Sequence, residues 1–591
     1  MKFVLLIILF LQSIIAAPII DISKRASILK PSEDPFYTGP EGYEDQPLGS
    51  VLRIRKMDTN YGFVVLPIHV ESVYQILVRS EDTFKQPIAV MSTLFVPYNP
   101  DPSKLVSYQV AQDASCFDCA PSYAMQIGSS PLSWVTSELE EALFVTSLVD
   151  GYYVLVPDHE GPKATYVAGW SAAYAVMNAI RGTFNSANVT GINEDADVVL
   201  WGYSGGAFAT GWGASVQPTY YPELNLVGSA MGGIPVNISN VAVYDMGSVF
   251  AGLVVMAING LKNEYPELKE LMQEKMGSEK YAKFAKADNY CLIESVLVYA
   301  FADFSDYLDE GNQILYDSTV KNITDHNNLL TNGLTPSCPL FIYSSENDEI
   351  IPIEDTDALV ESYCEQGVSV EYRKDRISDH IITAVSGAGL AFNFIKDRFN
   401  GVEVNPSCQS STSTSDFFDE GSLSGLGEIG SGLVSALVGD KIGPGVTSND
   451  TSSSSFFSSI LSAGEGLVSD VLGSSSDSSN STSSGILSTL LSSGEGLVSS
   501  LLGSSSSSNS TSGGVISSLL SSGENFVSSL LGSSSSSNSN STSGSVISTL
   551  ESAASNLVGD LGGSNSSSSS STISNLLSTG STLISNFLKD V

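Results

Sequence analysis

The chain has 591 residues and a formal net charge of −38, from 26 basic and 64 acidic side chains. That length exceeds one average domain and allows a large buried core. So acidic a surface argues against nucleic acid as a partner, because phosphate binding needs Lys and Arg. It argues equally against electrostatic docking on anionic membranes, and its plain consequence is solubility.

The N-terminus reads MKFVLLIILFLQSIIAAP: one Lys, an apolar run, then small residues at Ala16 and Ala17. This is the pattern of a secretory signal peptide over 1–16. Lys24-Arg25 then suggests a short propeptide within an N-terminal extension, 17–30. No later apolar stretch is long enough to span a bilayer. The final STLISNFLKDV lacks the continuous hydrophobic tail of a lipid-anchor signal. The sequence therefore predicts a secreted, extracellular protein without a transmembrane segment.

Strand-like runs follow at Val73–Val78, Ile88–Val96, Leu105–Val110, Tyr152–Val156, Val198–Trp201, Leu340–Tyr343 and Val368–Tyr372. Helix-like segments lie between several of them, for example Gly169–Ile180 and Ile353–Gln366. Strands alternating with helices predict an α/β fold, a mostly parallel sheet with both faces covered. Residues 240–320 break the pattern: YPELKELMQEKM, KYAKFAKA and ESVLVYAFADFSDYL carry helical periodicity and no convincing strand. They predict an inserted helical cap, about 237–325. Composition changes near Cys408, beyond which there is no Cys, His, Arg, Trp or Tyr and Ser dominates. The reading is a catalytic domain over 31–408 and a tail over 409–591.

The tail repeats with a period of roughly 30 residues, as in SSILSAGEGLVSDVLGSSS, ILSTLLSSGEGLVSSLLGSSS and VISSLLSSGENFVSSLLGSSS. In the second copy Ile486, Leu487, Leu490, Leu491, Leu497, Val498, Leu501 and Leu502 fall within one arc of roughly 160° on a helix. Gly494 and Gly496 weaken that helix by about 1 kcal/mol each relative to Ala. Each copy reads as a short amphipathic helix between disordered Ser/Asn linkers, suited to lipid contact or self-association. The competing reading is a glycosylated spacer. Cutting the chain at about residue 409 is expected to leave soluble-ester turnover intact.

The chemistry is carried by VVLWGYSGGAFAT, with Ser204 inside Gly202-Tyr203-Ser204-Gly205-Gly206. A strand, a sharp turn with small neighbours and a small-residue helix make a nucleophile elbow. Four histidines are available, and only His326 and His380 follow Ser204 as the order Ser, acid, His requires. His326 falls inside the cap, so His380, in RISDHIITA, is the base. LFIYSSENDEIIP supplies the acid, Asp348, after the strand at Leu340–Tyr343, with Glu346 and Glu349 as the alternatives. Asp379, adjacent to His380, is read as a distractor. His159, in VPDHEGP, precedes the nucleophile and reads as structural. The oxyanion hole would combine the backbone N–H of Gly205 with that of Asp113, in the loop YQVAQDASCFDCAPSYA.

Cysteines stand at 116, 119, 291, 338, 364 and 408, and secretion makes disulfides the expectation. Cys116 and Cys119 have metal-type spacing but no second Cys pair or paired His, so neither a metal nor a cofactor is expected. Sequons at Asn188, Asn237, Asn322 and Asn449, and at Asn480, Asn509, Asn540 and Asn565 in the tail, fit a glycoprotein.

Taken together, SYQ…D…CAPSY, VPDHEGP, WGYSGG, SSENDEIIP and SDHIITA…FNFIKDRFNG resemble the fungal secretory lipases, the Candida secreted lipases and their lipase A-type relatives. The likeness covers residues 30–408. It implies an α/β-hydrolase core with a helical lid and a triacylglycerol lipase acting on acylglycerol at an interface, through Ser204, Asp348 and His380. It implies disulfides Cys119–Cys291 and Cys364–Cys408, leaving Cys116 and Cys338 over. The repeated tail departs from the family pattern. Two other readings stand beside this one: a short-chain esterase or acyltransferase, and a non-catalytic surface or adhesion protein.

Overall fold

The computed structural model describes residues 28–446, apart from 59–60, 64–65, 417–418 and 438–439. The signal peptide, the dibasic site, Asn449 and the repeats fall outside the described residues.

The strands are β1 (Val51–Lys56), β2 (Gly62–Phe63), β3 (Leu66–Pro67), β4 (Ser72–Glu81), β5 (Pro87–Val96), β6 (Lys104–Gln109) and β7 (Tyr153–Pro157). They continue with β8 (Asp197–Tyr203), β9 (Leu226–Gly232), β10 (Leu340–Ser345), β11 (Val370–Asp375) and β12 (Gln409–Ser413). All but the small β2–β3 hairpin form one ten-stranded sheet, ordered β1-β4-β5-β7-β6-β8-β9-β10-β11-β12. From β7 to β12 the pairs are parallel; β1, β4 and β5 join antiparallel at one edge.

The central parallel strands β7, β8 and β10 are buried throughout most of their length, as their runs of Val, Leu, Ile and Tyr require. Helices cover the sheet: α1 (Pro131–Val149), α2 (Gly169–Asn185) and α3 (Gly205–Tyr220) come before β9. Between β9 and β10 the chain leaves the sheet for α4 (Ile238–Asp245), α5 (Ala251–Glu264), α6 (Pro266–Phe284), α7 (Leu292–Val298) and α8 (Ser318–His326). This is an α/β-hydrolase architecture with a helical insertion. After β10 come α9 (Ile353–Glu365), α10 (His380–Ser386), α11 (Ala388–Phe399) and α12 (Glu420–Leu437).

Two disulfides brace the unit. Cys119–Cys291 ties the loop after β6 to the start of α7, and Cys364–Cys408 ties α9 to the approach of β12. A native disulfide typically contributes about 2–4 kcal/mol by restricting the unfolded chain. Cys116 and Cys338 are free. Burial raises their thiols to about 11 and about 12, so neither is a thiolate at neutral pH.

The boundary expected at Cys408 is corrected. β12 adds a parallel strand to β11, and the Asp375 carboxylate at the end of β11 accepts the Asp416 amide at 2.9 Å. α12 seats on α11 and α1 through Ser422, Gly425, Ile429, Gly432 and Ala436, a 3-4-3-4 spacing that keeps one face buried. The approach is close because both helices use glycine where they cross: a Cβ at Gly425 would lie 2.1 Å from the Gly389 carbonyl oxygen. Ile442, fully buried, then pairs its backbone with His69 and Tyr98. The composition is that of the tail, and GLVSAL in α12 matches GLVSDV and GLVSSL in the repeats. Composition marks where Ser begins to dominate, whereas packed structure continues at least to Ile442.

The truncation expectation changes accordingly. A chain stopped at 408 loses β12 and α12 and exposes the faces they cover; its melting temperature should drop by more than about 10 °C. A chain stopped after 446 should keep both its melting temperature and its soluble-ester turnover. Thermal melts of the two truncations test this directly.

Candidate active site

Ser204 sits between the end of β8 and the start of α3 with φ 53° and ψ −124°. A non-glycine residue in this conformation is strained, and the strain is held by packing that only glycine neighbours allow. A Cβ at Gly206 would lie 2.0 Å from the Gln109 carbonyl oxygen, and one at Gly202 would lie 2.5 Å from the Gly206 carbonyl. The Ser204 amide donates to the Gly232 carbonyl of β9 at 2.8 Å, which fixes the turn to the sheet.

His380 opens α10, whose N-cap is Asp379: its carboxylate accepts the Ile382 amide and is not aimed at the imidazole. His380 Nε2 lies 2.9 Å from Ser204 Oγ, and Nδ1 lies 2.7 Å from Asp348 Oδ2. The other Asp348 oxygen accepts the amides of Ile350 and Ile351 at 3.0 and 2.7 Å. The carboxylate is thereby locked in the turn after β10. Sequence reasoning left Glu349 as an alternative acid; its Oε2 accepts the backbone amide of His380 at 2.7 Å instead. The Tyr203 hydroxyl donates to the His380 carbonyl at 2.6 Å, so the backbone of His380 is held from both sides. Neither clamp was read from the sequence.

Burial of the His380 imidazole works against its charged form, but the Asp348 carboxylate outweighs it and the pKa stands above the ordinary value. The other histidines do different things. His159 is buried, its Nε2 donates to the Val110 carbonyl at 2.8 Å, and burial lowers its pKa to about 4. It is a neutral structural residue in the loop after β7. His326 ends α8, with Nδ1 3.0 Å from the Tyr265 hydroxyl. Among the exposed sequons, Asn188 and Asn322 face solvent, while Asn237 caps α4 with its side-chain oxygen.

Both residues expected at the oxyanion hole lie beside Ser204. Gly205 is the first residue of α3, where amides lack intrahelical acceptors. Asp113, expected to give the second donor through its amide, stands in the loop after β6 with φ 46°. Its carboxyl faces the catalytic turn. A Cβ at Gly205 would lie 1.7 Å from Asp113 Oδ1, so the carboxyl lies directly against the nucleophile's neighbour. Oδ1 is buried without a hydrogen-bond partner, and Asp113 lines the same pocket as Ser204. Burial lifts its pKa to about 7, against the opposing pull of His380 and the Tyr166 hydroxyl.

That pocket runs from Ser204 into the helical insertion. Its walls are Val241 of α4, Leu253, Val254 and Leu261 of α5, and Leu268 and Met272 of α6. Apart from Asp113, Tyr166 and Ser204 near the turn, and Ser239 and Thr324 farther in, its surface is aliphatic for the most part.

More carboxyls are buried nearby than a neutral-pH protein keeps cheaply. Burial raises Glu140 to about 8, Asp158 to about 7 and Asp245 to about 9. Each holds its proton more tightly folded than unfolded. The stability from this source is complete below the ordinary carboxylate range near ~4 and is lost as pH rises through 7 to 9. The melting temperature should therefore be higher at pH 5 than at pH 8.5, and a scan across that range tests it.

A family model described as "Secretory lipase" matches residues 125–406. Lipase 4 of Candida albicans is 40% identical over 420 residues, covering 69% of this chain and 90% of that protein. The chain belongs to the secretory lipase family. It is a secreted lipase, a hydrolase of carboxylic esters. Lipase A of Arthroderma benhamiae is 39% identical over 423 residues, covering 70% of the lipase described here and 90% of its own length. The crystal structure of Candida antarctica lipase A superposes with a TM-score of 0.63 at 27% identity, over 70% of this lipase and 95% of that chain.

Proposed function

We propose that this lipase is an extracellular triacylglycerol hydrolase that works by acyl transfer through Ser204, His380 and Asp348. The supporting observation is the pair of hydrogen bonds from Ser204 Oγ through the imidazole to Asp348, at the mouth of an apolar pocket. His380 Nε2 takes the Ser204 proton as Oγ attacks the ester carbonyl. Asp348 keeps Nδ1 protonated and stabilises the imidazolium that forms. The Gly205 and Asp113 amides, with the protonated Asp113 carboxyl beside them, stabilise the tetrahedral oxyanion. Collapse expels the alcohol with a proton from His380, and water activated by the same imidazole releases the acid from Ser204. None of these steps calls on a metal or cofactor.

The aliphatic walls of α4, α5 and α6 suit a long acyl chain, because each buried methylene contributes about 0.8 kcal/mol. The Ser-rich tail is proposed to contact lipid, or other tails, through its amphipathic copies. The test of substrate class is turnover of p-nitrophenyl esters of increasing chain length, with and without an emulsion. Rising kcat/KM toward long chains supports the reading; a strong preference for acetyl overturns it.

A further inference from the structure

Fourteen large apolar residues are exposed among the described residues, and nine of them lie in three short segments that join one another beside the catalytic turn. The first is the end of α4, where Val243 and Tyr244 are 55% and 50% exposed. The second is the end of α7 and its turn, with Leu297, Val298 and Phe301. The third surrounds α10, with Ile377, Ile381, Ile382 and Val385. The segments are linked by hydrogen bonds. The Gly247 amide donates to the Ala302 carbonyl and the Phe301 amide to the Ser248 carbonyl, both at 2.8 Å, joining the first segment to the second. The Tyr244 hydroxyl donates to the Asp348 carbonyl at 3.1 Å, joining the first to the turn that holds His380 at the head of the third.

Two features set this band apart from scattered surface leucines. Phe301 has φ 63°, a left-handed backbone that a bulky side chain rarely adopts, and the residue is 53% exposed. The fold holds an aromatic side chain outward against a conformational cost. The second feature is charge. The stretches 237–261, 288–320 and 377–395 contain no Lys or Arg, while they carry Asp303, Asp306 and Asp379 among other acids; Arg376, at the border of the third, is paired with Glu346 at 3.3 Å. A surface of this kind is repelled by anionic lipid and has nothing but apolar contact to offer.

We infer that this band is the face by which the lipase docks on an uncharged acylglycerol surface. The inference rests on the lipase reading above and adds which face meets the lipid and which lipid it prefers. Helix α4 supplies the geometric continuity. Its inner side, with Ile238, Val241 and Ala242, lines the pocket that opens on Ser204, while its outer side carries Val243 and Tyr244. An acyl chain drawn from a lipid surface under the band would pass from one side of this helix to the other without crossing bulk water. The exposed aromatic, placed beside polar backbone, suits the boundary between head groups and acyl chains.

The test is co-flotation of the full chain, in a Ser204→Ala background, with trioleoylglycerol emulsions coated by phosphatidylcholine alone or with added phosphatidylserine. The parent should float with the neutral emulsion and float less as phosphatidylserine is added. Phe301→Asp and Val385→Asp together should reduce the bound fraction at least fivefold. Asp accepts the left-handed conformation at 301 better than Phe does, so the fold should survive. With Ser204 intact, the same pair should cut emulsion turnover more than tenfold and leave kcat/KM on soluble p-nitrophenyl butyrate within twofold. A second pair, Val298→Asp and Ile382→Asp, should behave alike. The proposal is overturned if both pairs float as the parent does, if soluble and emulsion turnover fall together, or if phosphatidylserine strengthens binding. Failure of the underlying lipase reading would show elsewhere, as hydrolysis of the soluble ester that survives Ser204→Ala.

Discussion

Replacing Ser204 or His380 with Ala should lower kcat on a soluble ester by roughly 10⁵–10⁶, because the members of such a triad act as a unit. The geometry makes the loss specific. Nothing else in the pocket places a base on Ser204: His159 is spent on the Val110 carbonyl and His326 on Tyr265. Asp348→Asn should be nearly as damaging, about 10⁴, while leaving the fold intact. The Asn oxygen can still accept the Ile350 and Ile351 amides that the Asp348 carboxylate now accepts. Its NH₂ then faces His380 Nδ1, which must become the acceptor, and Nε2 carries the proton that should be absent. A melting curve unchanged beside a lost turnover separates this tautomer effect from unfolding.

The second large effect is expected at Asp113. Its orphaned carboxyl oxygen beside Gly205 can donate to an oxyanion only when protonated, and its pKa is about 7. Asp113→Ala should cost roughly 10²–10³ in kcat, the usual loss of one oxyanion donor, or about 3–4 kcal/mol. The pH profile carries the finer signature. His380 must be neutral to accept the serine proton, so activity falls as pH drops through its raised pKa. Asp113 must be protonated, so activity falls as pH climbs past about 7. The two groups feel each other, and the limbs of the bell belong to the pair. Asp113→Asn keeps a donor without a titration and should flatten the alkaline limb while retaining most of the activity at its optimum. An alkaline limb unchanged in Asp113→Asn would remove the carboxyl from the oxyanion hole.

The parts of this site that were legible in the sequence are those whose cause is local. A strand, a glycine-flanked serine and a small-residue helix lie within one window, and four histidines with a fixed chain order leave little choice of base. The carboxyl of Asp113 went unread because its position depends on meetings between distant segments. Asp113, after β6, meets Gly205, after β8, only once the sheet has brought the two strand ends together. No spacing rule encodes that meeting. Strand β9 went unread for a related reason: Leu226–Gly232 contains Gly and Ser where a β-former is expected. The small residues are needed there, since a Cβ at Gly232 would lie 2.2 Å from the Tyr343 ring. In α12 the same economy of side chains hid a packed helix inside a Ser-rich composition. Close packing through glycine is the common physical cause, and it weakens the very propensity by which sequence is read.

The central claim is that Ser204 is a nucleophile activated by His380. Its most direct test is labelling of the intact protein with a fluorophosphonate, followed by peptide mapping of the adduct. The account predicts a single modification on Ser204, abolished in Ser204→Ala and nearly abolished in His380→Ala. An adduct on another residue, or full labelling of Ser204 without His380, would contradict it.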